Sequence, residues 1–141
     1  MGEIVVGVDL SDAGVAALRW AAAQARVTGA SLRGIHVLKL PDAFALAGLV
    51  GAAVETPVES INAGYRQALT AVWQSVDPDD SWSLEYVVDD PRGVLAEASK
   101  QASLIVVGTG SSSGLERLIS GSVSHYILNH SHCPVVAVPA G

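Results

Sequence analysis

The segment from Gly108 to Ser124 carries the residue types that point most clearly to chemistry. It is rich in glycine and serine, follows the apolar strand pattern of Leu104–Val107, and leads into a helix pattern at Val123–Leu128. We expect Gly121-Ser122 to lie at the start of that helix. Glycine-rich turns and helix N-termini present backbone N–H groups that bind anions, which suggests a ligand carrying phosphate. The composition fits a flexible polar loop with an ordinary serine N-cap equally well.

The glycines of this segment do not form either of two better-known phosphate-binding motifs. Gly108 and Gly110 follow the strand directly, and glycine permits close backbone approaches that other residues forbid. A P-loop needs Gly-Lys-Ser or Gly-Lys-Thr, which the chain lacks. The dinucleotide-binding fingerprint needs a glycine where Ser113 stands, and it belongs after a first strand rather than a fourth. Both motifs are therefore excluded.

A carboxylate, Asp9, follows the first strand pattern and precedes Ser11, a predicted helix N-cap. A carboxylate at this place suits a ribose hydroxyl, an amino group of a base, or Mg²⁺. It equally suits a turn in which the carboxylate bonds to the start of the helix. A receiver domain would need an acidic pair here and a lysine after the last strand, where the chain has Pro139-Ala140. That class is therefore disfavoured.

Other reactive residue types give weaker signals. Three histidines lie late in the chain: His125, His130 and His132. Their spacing places no pair one helical turn apart, so a metal site is not expected. His36 closes the second strand and either lines the ligand cleft or is an ordinary half-buried residue. No catalytic triad follows from the spacing, and slow nucleotide hydrolysis would depend on Asp9, Asp89 or His36.

Composition limits the partners and the compartment. The chain has 141 residues, of which half are hydrophobic and 16% are charged, which is typical of a folded domain. A net charge of −6 without a run of Lys or Arg argues against nucleic acid. The apolar segment Phe44–Val54 is too short to span a membrane, and Met1-Gly2-Glu3 lacks a basic segment, so a signal peptide is not expected. Cys133 is interpreted as a small core residue; a single cysteine forms no internal disulfide, which suits the cytoplasm.

Apolar strands alternate with helical patterns along the chain. Five strands are predicted, at Ile4–Val8, Leu32–Leu38, Trp82–Val88, Leu104–Val107 and Val135–Val138. Four helices are predicted: from the N-cap Ser11 to a C-cap at Gly29, from Pro57 through Trp73, from Pro91 through Ala98, and over Val123–Leu128. The segment 41–56 has no clear period and is interpreted as a long, partly ordered excursion.

This alternation predicts an α/β fold with a doubly wound parallel sheet and helices on both faces, of flavodoxin-like type. Residues 1–141 are interpreted as a single domain. The strand at Trp82–Val88 alternates apolar and polar residues, which is typical of an edge strand. Right-handed crossovers then give the strand order 3-2-1-4-5. The switch point between strands one and four brings together the loops Asp9–Ser11 and Gly108–Ser124.

The sequence resembles the universal stress protein family over essentially its whole length. The resemblance rests on Val6-Gly7-Val8-Asp9-Leu10-Ser11, Ala17-Leu18-Arg19-Trp20-Ala21, Ile35-His36-Val37, Leu104-Ile105-Val106-Val107-Gly108, Gly121-Ser122-Val123-Ser124 and Cys133-Pro134-Val135-Val136-Ala137-Val138-Pro139. It implies the same fold in its adenine nucleotide alpha hydrolase-like form. It also implies ATP or AMP as ligand, with Mg²⁺ as a companion of the nucleotide.

Nucleotide-binding members of this family carry Gly, two residues, Gly, nine residues, Gly and then Ser or Thr. Gly108 fills the first place and Gly121-Ser122 the last two, whereas Ser111 stands at the second glycine. Gly110 lies one residue earlier and offers another place for the turn. Leu10 and Asp89 also stand where many relatives carry glycine. An alternative follows from these departures: a member without nucleotide that acts as a dimeric interaction module.

The resemblance assigns roles to the site. Asp9 would contact the ribose or the adenine, Val37 would offer backbone groups to the adenine edge, and the glycines and hydroxyls after the fourth strand would meet the phosphates. The expected nucleotide-binding residues are Gly7, Val8, Asp9, Ser11, Val37, Val88, Val107, Gly108, Thr109, Gly110, Ser111, Gly121, Ser122, Val123 and Ser124.

The resemblance also implies an assembly and a role in the cell. A homodimer would form through the last strand, at Val135, Val136, Ala137 and Val138. That strand is apolar on both faces and would otherwise leave an open sheet edge. The expected function is a cytoplasmic sensor or regulator of the stress response that binds ATP or AMP.

Overall fold

A computed structural model describes residues 2–38, 63–109 and 114–140. Its five strands are β1 Glu3–Gly7, β2 Ser31–Leu38, β3 Ser83–Val88, β4 Leu104–Gly108 and β5 Val135–Val138. They form one sheet in the order β3-β2-β1-β4-β5, and every pairing is parallel. The predicted fold class and strand order are confirmed, with strand limits that differ from the predicted ones by one residue at most.

Burial explains why the strands take these places. The apolar residues Ile4–Val6 of β1 and Ile105–Val107 of β4 are almost wholly buried, as expected for central strands covered on both faces. β3 and β5 have mostly half-buried residues and lie at the two edges of the sheet. The alternating pattern of β3 therefore predicted its edge position correctly.

Of the first three helices, the first and third begin and end close to where their sequence signals lie, and the second ends one residue after the predicted Trp73. They are α1 Asp12–Thr28, α2 Ala63–Gln74 and α3 Pro91–Ala98. The Ser11 hydroxyl accepts a bond from the Gly14 N–H at 3.0 Å at the start of α1, and Gly29 ends it in the left-handed region with φ of 74°. Both predicted caps of α1 are confirmed. Pro57 and the segment 41–56 lie outside the described residues.

The fourth helix differs from its prediction. α4 spans Gly114–His130, so it begins nine residues before the predicted start at Val123. The predicted placement of Gly121-Ser122 at the helix N-terminus is therefore wrong for this structure. In the sequence, Leu115, Leu118 and Ile119 continue the apolar spacing of a helix toward the N-terminus, a signal that the prediction from Gly121-Ser122 did not use.

The helices pack on opposite faces of the sheet around two apolar clusters. One cluster contains Leu18 of α1, Leu69 of α2 and Val6 of β1. The other contains Leu95 of α3 and Ile127 of α4. Within the described ranges, no helix has the length and apolar character needed to cross a membrane. The two layers leave the carboxyl ends of the central strands uncovered, and the cleft described below opens there.

Candidate functional site

A cleft lies at the carboxyl ends of β1, β2 and β4, between α3 and α4. It encloses about 520 Å³, counting the space open to solvent at its mouth. Its lining residues are Gly7, Val8, Asp9, Ile35, His36, Val37, Pro91, Leu95, Val107, Gly108 and Val123. The cleft therefore occupies the predicted switch point between β1 and β4.

Apolar side chains form most of the wall. Ile35 of β2, Val107 of β4 and Leu95 of α3 belong to the same apolar cluster, and Val37 of β2 and Val123 of α4 pack against it. No lysine or arginine is among the residues that line the described cleft. Such a slot suits a flat, weakly polar ring better than a bare anion.

The backbone of Val37 points toward this cleft. In an extended strand the polar groups of successive residues alternate between its two sides. The Ile35 carbonyl accepts from the Val8 N–H at 2.9 Å on the β1 side, whereas the Leu38 carbonyl accepts from the Asp89 N–H at 3.1 Å on the β3 side. The Val37 N–H and carbonyl therefore face the β1 side, beyond the last residue of β1. They present one donor and one acceptor to a ligand in the cleft.

Asp9 contributes a carboxylate at the cleft, and the predicted turn that joins it to the start of the first helix is confirmed. Oδ1 accepts from the Ser11 N–H at 2.9 Å and from the Ser11 hydroxyl at 2.5 Å, which makes the turn into α1. Oδ2 accepts no bond from the described residues and remains available to a ligand. The N-terminus of α1 stabilises the negative charge.

Gly14 is essential to that arrangement, and sequence reasoning missed it. A Cβ at Gly14 would lie 1.9 Å from Asp9 Oδ1 and 3.1 Å from Ser11 Oγ. The absence of a side chain therefore allows the carboxylate to lie against the first turn of α1. The signal was present in the sequence as a glycine three residues after an N-cap, but a glycine in the first turn of a helix does not by itself indicate a close contact.

Gly108 has a packing role that the phosphate interpretation did not include. A Cβ at this position would lie 2.6 Å from the carbonyl carbon of Ala13 and 2.7 Å from its oxygen. Real Cβ atoms do not approach backbone so closely, so glycine allows the end of β4 to meet the first turn of α1. This contact holds the end of β4 against the first turn of α1, the helix that follows β1.

The predicted phosphate-binding residues are not brought together in this conformation. Gly121 and Ser122 lie inside α4, where helical N–H groups bond to carbonyls four residues earlier. The Thr109 N–H donates to the Val138 carbonyl at 2.9 Å, and Ser124 is buried. Thr109, Ser122 and Ser124 are not among the described residues that line the cleft. The remaining two, Gly110 and Ser111, lie outside the described residues.

Some other expected residues also lie away from the cleft. Ser11 is the cap of α1, and Val88 packs on Leu38 at the end of β3. Leu10 is 39% exposed and does not line the cleft. Asp89 accepts a bond from the Asp90 N–H at 2.7 Å and lies along a different groove, so its carboxylate is not part of the cleft. The departures at Leu10 and Asp89 therefore do not block the cleft.

His36 is more buried than expected. Its ring is 4% exposed, with Nδ1 lying 2.7 Å from the Val8 carbonyl oxygen and Nε2 lying 3.1 Å from the Tyr65 hydroxyl. Burial is the largest influence and lowers the pKa of His36 below its ordinary value, against the opposing effects of the Val8 bond and the Asp9 charge. His36 is therefore held neutral and fully hydrogen-bonded.

The other titratable residues form no further centre in the described ranges. His125, His130 and His132 are exposed, and Cys133 is half-buried against the cluster that contains Val135. The described residues contain no group of three or more His, Cys, Asp or Glu that could hold a metal ion. Sequence reasoning had not identified Ile35, Pro91 and Leu95 as lining residues, because an apolar wall residue cannot be distinguished from a core residue by its type.

Comparison with known proteins gives a consistent result. Residues 1–139 match the model of the universal stress protein family. A universal stress protein of Mycolicibacterium smegmatis is 31% identical over 138 residues, which cover 96% of this chain and 47% of that protein. The chain thus spans about half the length of this relative.

Two solved structures share the fold. One is a universal stress protein in complex with cAMP, with a TM-score of 0.65, 24% identity, and coverage of 99% of this chain and 98% of that chain. The other is the Archaeoglobus fulgidus universal stress protein in complex with dAMP, with a TM-score of 0.63, 24% identity and 98% coverage of both chains. From the family match over nearly all of its length, we conclude that the chain belongs to the universal stress protein family.

Proposed function

We propose that this protein binds an adenine nucleotide in the cleft and acts as a dimeric sensor or regulator in the cytoplasm. The observation that carries the proposal is the backbone of Val37, which presents a donor and an acceptor beside an apolar slot. An adenine ring offers the matching pair on one edge, with N1 as acceptor and the exocyclic amino group as donor. The apolar walls at Ile35 and Leu95 would cover its faces.

Asp9 supports the nucleoside part of the proposal. Its Oδ2 is open at the cleft, and a carboxylate oxygen readily accepts from the hydroxyl groups of a ribose. Two structural neighbours in the same family are complexes with cAMP and with dAMP, which makes an adenine mononucleotide the first candidate. AMP and ATP both contain this nucleoside.

The phosphates would need a different source of positive charge. Lysine and arginine are absent from the described lining, so we infer that backbone N–H groups near Gly108 and a Mg²⁺ ion carried by ATP would offset the phosphate charge. ATP binding would then require that α4 begin nearer Gly121 than it does in this conformation. AMP places less demand on this region and is the better first ligand.

Dimerisation is proposed through β5. This strand pairs with β4 on one side, and its residues Val135–Val138 are all half-buried and apolar. A second copy would cover the other side of the strand and remove an open edge. Cys133 is a free thiol, which suits the reducing cytoplasm.

Calorimetry with base-matched ligands tests the nucleotide proposal. AMP and ATP with Mg²⁺ are titrated into the full chain, and GMP serves as the control because its N1 is a donor and its O6 an acceptor. We expect GMP to bind at least about tenfold more weakly, since both backbone partners at Val37 would then face a like group. Absence of heat and of thermal stabilisation with AMP and ATP at millimolar concentration would overturn the proposal.

One observation favours a second function, that of a dimeric interaction module without nucleotide. α4 continues through Gly121-Ser122, which uses the N–H groups expected to bind phosphate. Under this alternative, sedimentation would still show a dimer, while neither AMP nor ATP would change its thermal stability. Nucleotide found in the protein as purified would exclude it.

A further inference from the structure

Just beyond β1, the ring of His36 bonds to the Val8 carbonyl at the place where a further backbone hydrogen bond from β2 would be expected. In a parallel pair, the Val8 N–H donates to the Ile35 carbonyl, and the next bond of the ladder would run from the Val37 N–H to the Val8 carbonyl. The first bond is present at 2.9 Å. Within the described residues the second is absent, and the Val8 carbonyl lies 2.7 Å from His36 Nδ1 instead.

The chemistry of the ring fixes the direction of these bonds. A carbonyl oxygen accepts only, so Nδ1 must carry the proton and donate to Val8. In the neutral ring Nε2 is then an acceptor, and the Tyr65 hydroxyl at 3.1 Å donates to it. The tilted ring of Tyr65 and the edge-on ring of Tyr86 enclose the imidazole. These contacts hold His36 in the tautomer that bonds to Val8.

We propose that His36 is a positioning residue that occupies the Val8 carbonyl and thereby keeps the Val37 N–H available to a ligand. Without this side chain, the Val37 N–H would donate to the Val8 carbonyl. The ladder between β1 and β2 would then gain one bond, and the N–H would no longer be available to a ligand. The proposal rests on the proposed function in taking that ligand to be an adenine nucleotide. The His36 ring contacts Tyr65 of α2, so it acts on a bound ligand only indirectly, through Val8 and Val37.

The test compares two substitutions at His36 in the full-length chain labelled with ¹⁵N. His36→Leu removes the donor while keeping a buried apolar side chain of moderate size. His36→Asn places an amide nitrogen near the position of Nδ1, and so keeps a donor for Val8. Hydrogen exchange of the Val37 amide is measured without ligand, and AMP affinity is measured by calorimetry.

The two variants should distinguish a positioning role of His36 from a role in supporting the core alone. We expect the Val37 amide to exchange freely in the wild-type protein and in His36→Asn, and roughly tenfold more slowly in His36→Leu, because it then bonds to Val8. AMP affinity should fall by about tenfold in His36→Leu and recover in His36→Asn. A core defect alone would speed exchange rather than slow it.

The outcomes distinguish this proposal from the proposed function. A Val37 amide that is already protected in the free wild-type protein overturns the role of His36, and this measurement needs no variant to fold. Equal AMP affinity of the wild type and His36→Leu also overturns it. Slower Val37 exchange in His36→Leu, together with no AMP binding by the wild type, supports the role of His36 and removes the proposed function instead.

Discussion

The two halves of the cleft are built in different ways. On the β1–β2 side, Asp9, His36 and Val37 are held by strand ends and by hydrogen bonds that need no ligand. On the β4–α4 side, Gly108 is fixed by packing, but Gly121 and Ser122 lie inside a continuous helix. The first half, proposed to bind the nucleoside, has its polar groups in place without a ligand, whereas the second half has its N–H groups engaged in a helix.

This difference shows that the two halves of the cleft are positioned by different kinds of interaction. The sheet determines where strand-end groups point, because alternation along β2 directs Val37 to one side. A helix start depends on weaker preferences, since moving it costs a few backbone bonds and regains others. We call the β1–β2 side the adenosine half and the β4–α4 side the phosphate half, after the groups that each is proposed to bind. The arrangement of the adenosine half follows from the sheet, whereas that of the phosphate half depends on where α4 begins.

Replacing Gly108 by alanine should have the largest effect and would show that this glycine is a packing residue first. The added Cβ would lie 2.6 Å from the Ala13 backbone, which cannot move aside as a flexible side chain could. We expect Gly108→Ala to lower the free energy of unfolding by about 3 kcal/mol, the upper end of overpacking costs. Urea unfolding of the ligand-free protein measures it.

Gly93 provides the matched control for this substitution. A Cβ there would meet nothing within 4 Å, so Gly93→Ala in α3 should raise the free energy of unfolding by roughly 0.5 to 1 kcal/mol. If Gly108→Ala proves as harmless as Gly93→Ala, the close approach of β4 to α1 is not needed. The β4 side of the cleft would then be as adaptable as its helix.

The sequence predicted the fold almost completely, and its success has a physical basis. Continuous apolar runs at Ile4–Val6 and Ile105–Val107 can be buried only in a sheet covered on both faces, and the alternating β3 can lie only at an edge. The helix caps at Ser11 and Gly29 are local signals that depend on few neighbours. These features act over short distances or through burial, which sequence patterns report directly.

The site was less predictable because it depends on contacts between distant segments. Gly14 matters through Asp9, and Gly108 through Ala13, and neither pairing leaves a pattern in the sequence. The start of α4 was predicted at Val123 with Gly121-Ser122 at its N-terminus, although the apolar spacing of a helix continues before them in the sequence. His36 was placed correctly at the end of β2, but its bond to Val8 required the fold.

Gly14→Ala tests the adenosine half, with a smaller cost in stability and a clear cost in binding. Its Cβ would lie 1.9 Å from Asp9 Oδ1, and the carboxylate can rotate away from it. We expect the free energy of unfolding to fall by about 1 kcal/mol, since the turn bonds to Ser11 weaken. AMP affinity should fall by about tenfold in calorimetry. Unchanged AMP affinity would exclude Asp9 from the ligand contacts.

Gly121→Ala tests the phosphate half and should have the opposite sign. If α4 is helical through this position in the free protein, alanine should raise the free energy of unfolding by about 0.5 to 1 kcal/mol. The same change should lower the affinity for ATP more than that for AMP, because it favours the helix that engages the N–H groups proposed to bind phosphate. Destabilisation of the free protein by Gly121→Ala would instead place the helix start near this residue and make the two halves alike.

The smallest effect is expected from pH, and it belongs to the adenosine half. Burial lowers the pKa of His36 from 6.5, so below that value the unfolded chain binds a proton that the folded protein excludes. The stability that this neutral group contributes is therefore fully present above pH 6.5 and is lost progressively as the pH falls toward the lowered pKa of the folded protein.

Urea unfolding from about pH 7 to about pH 5 should show this loss in the wild type and a smaller one in His36→Asn, which has no such group. An equal loss in both proteins would mean that His36 is not held neutral, and the fixed tautomer that distinguishes the adenosine half would no longer explain the open Val37 N–H.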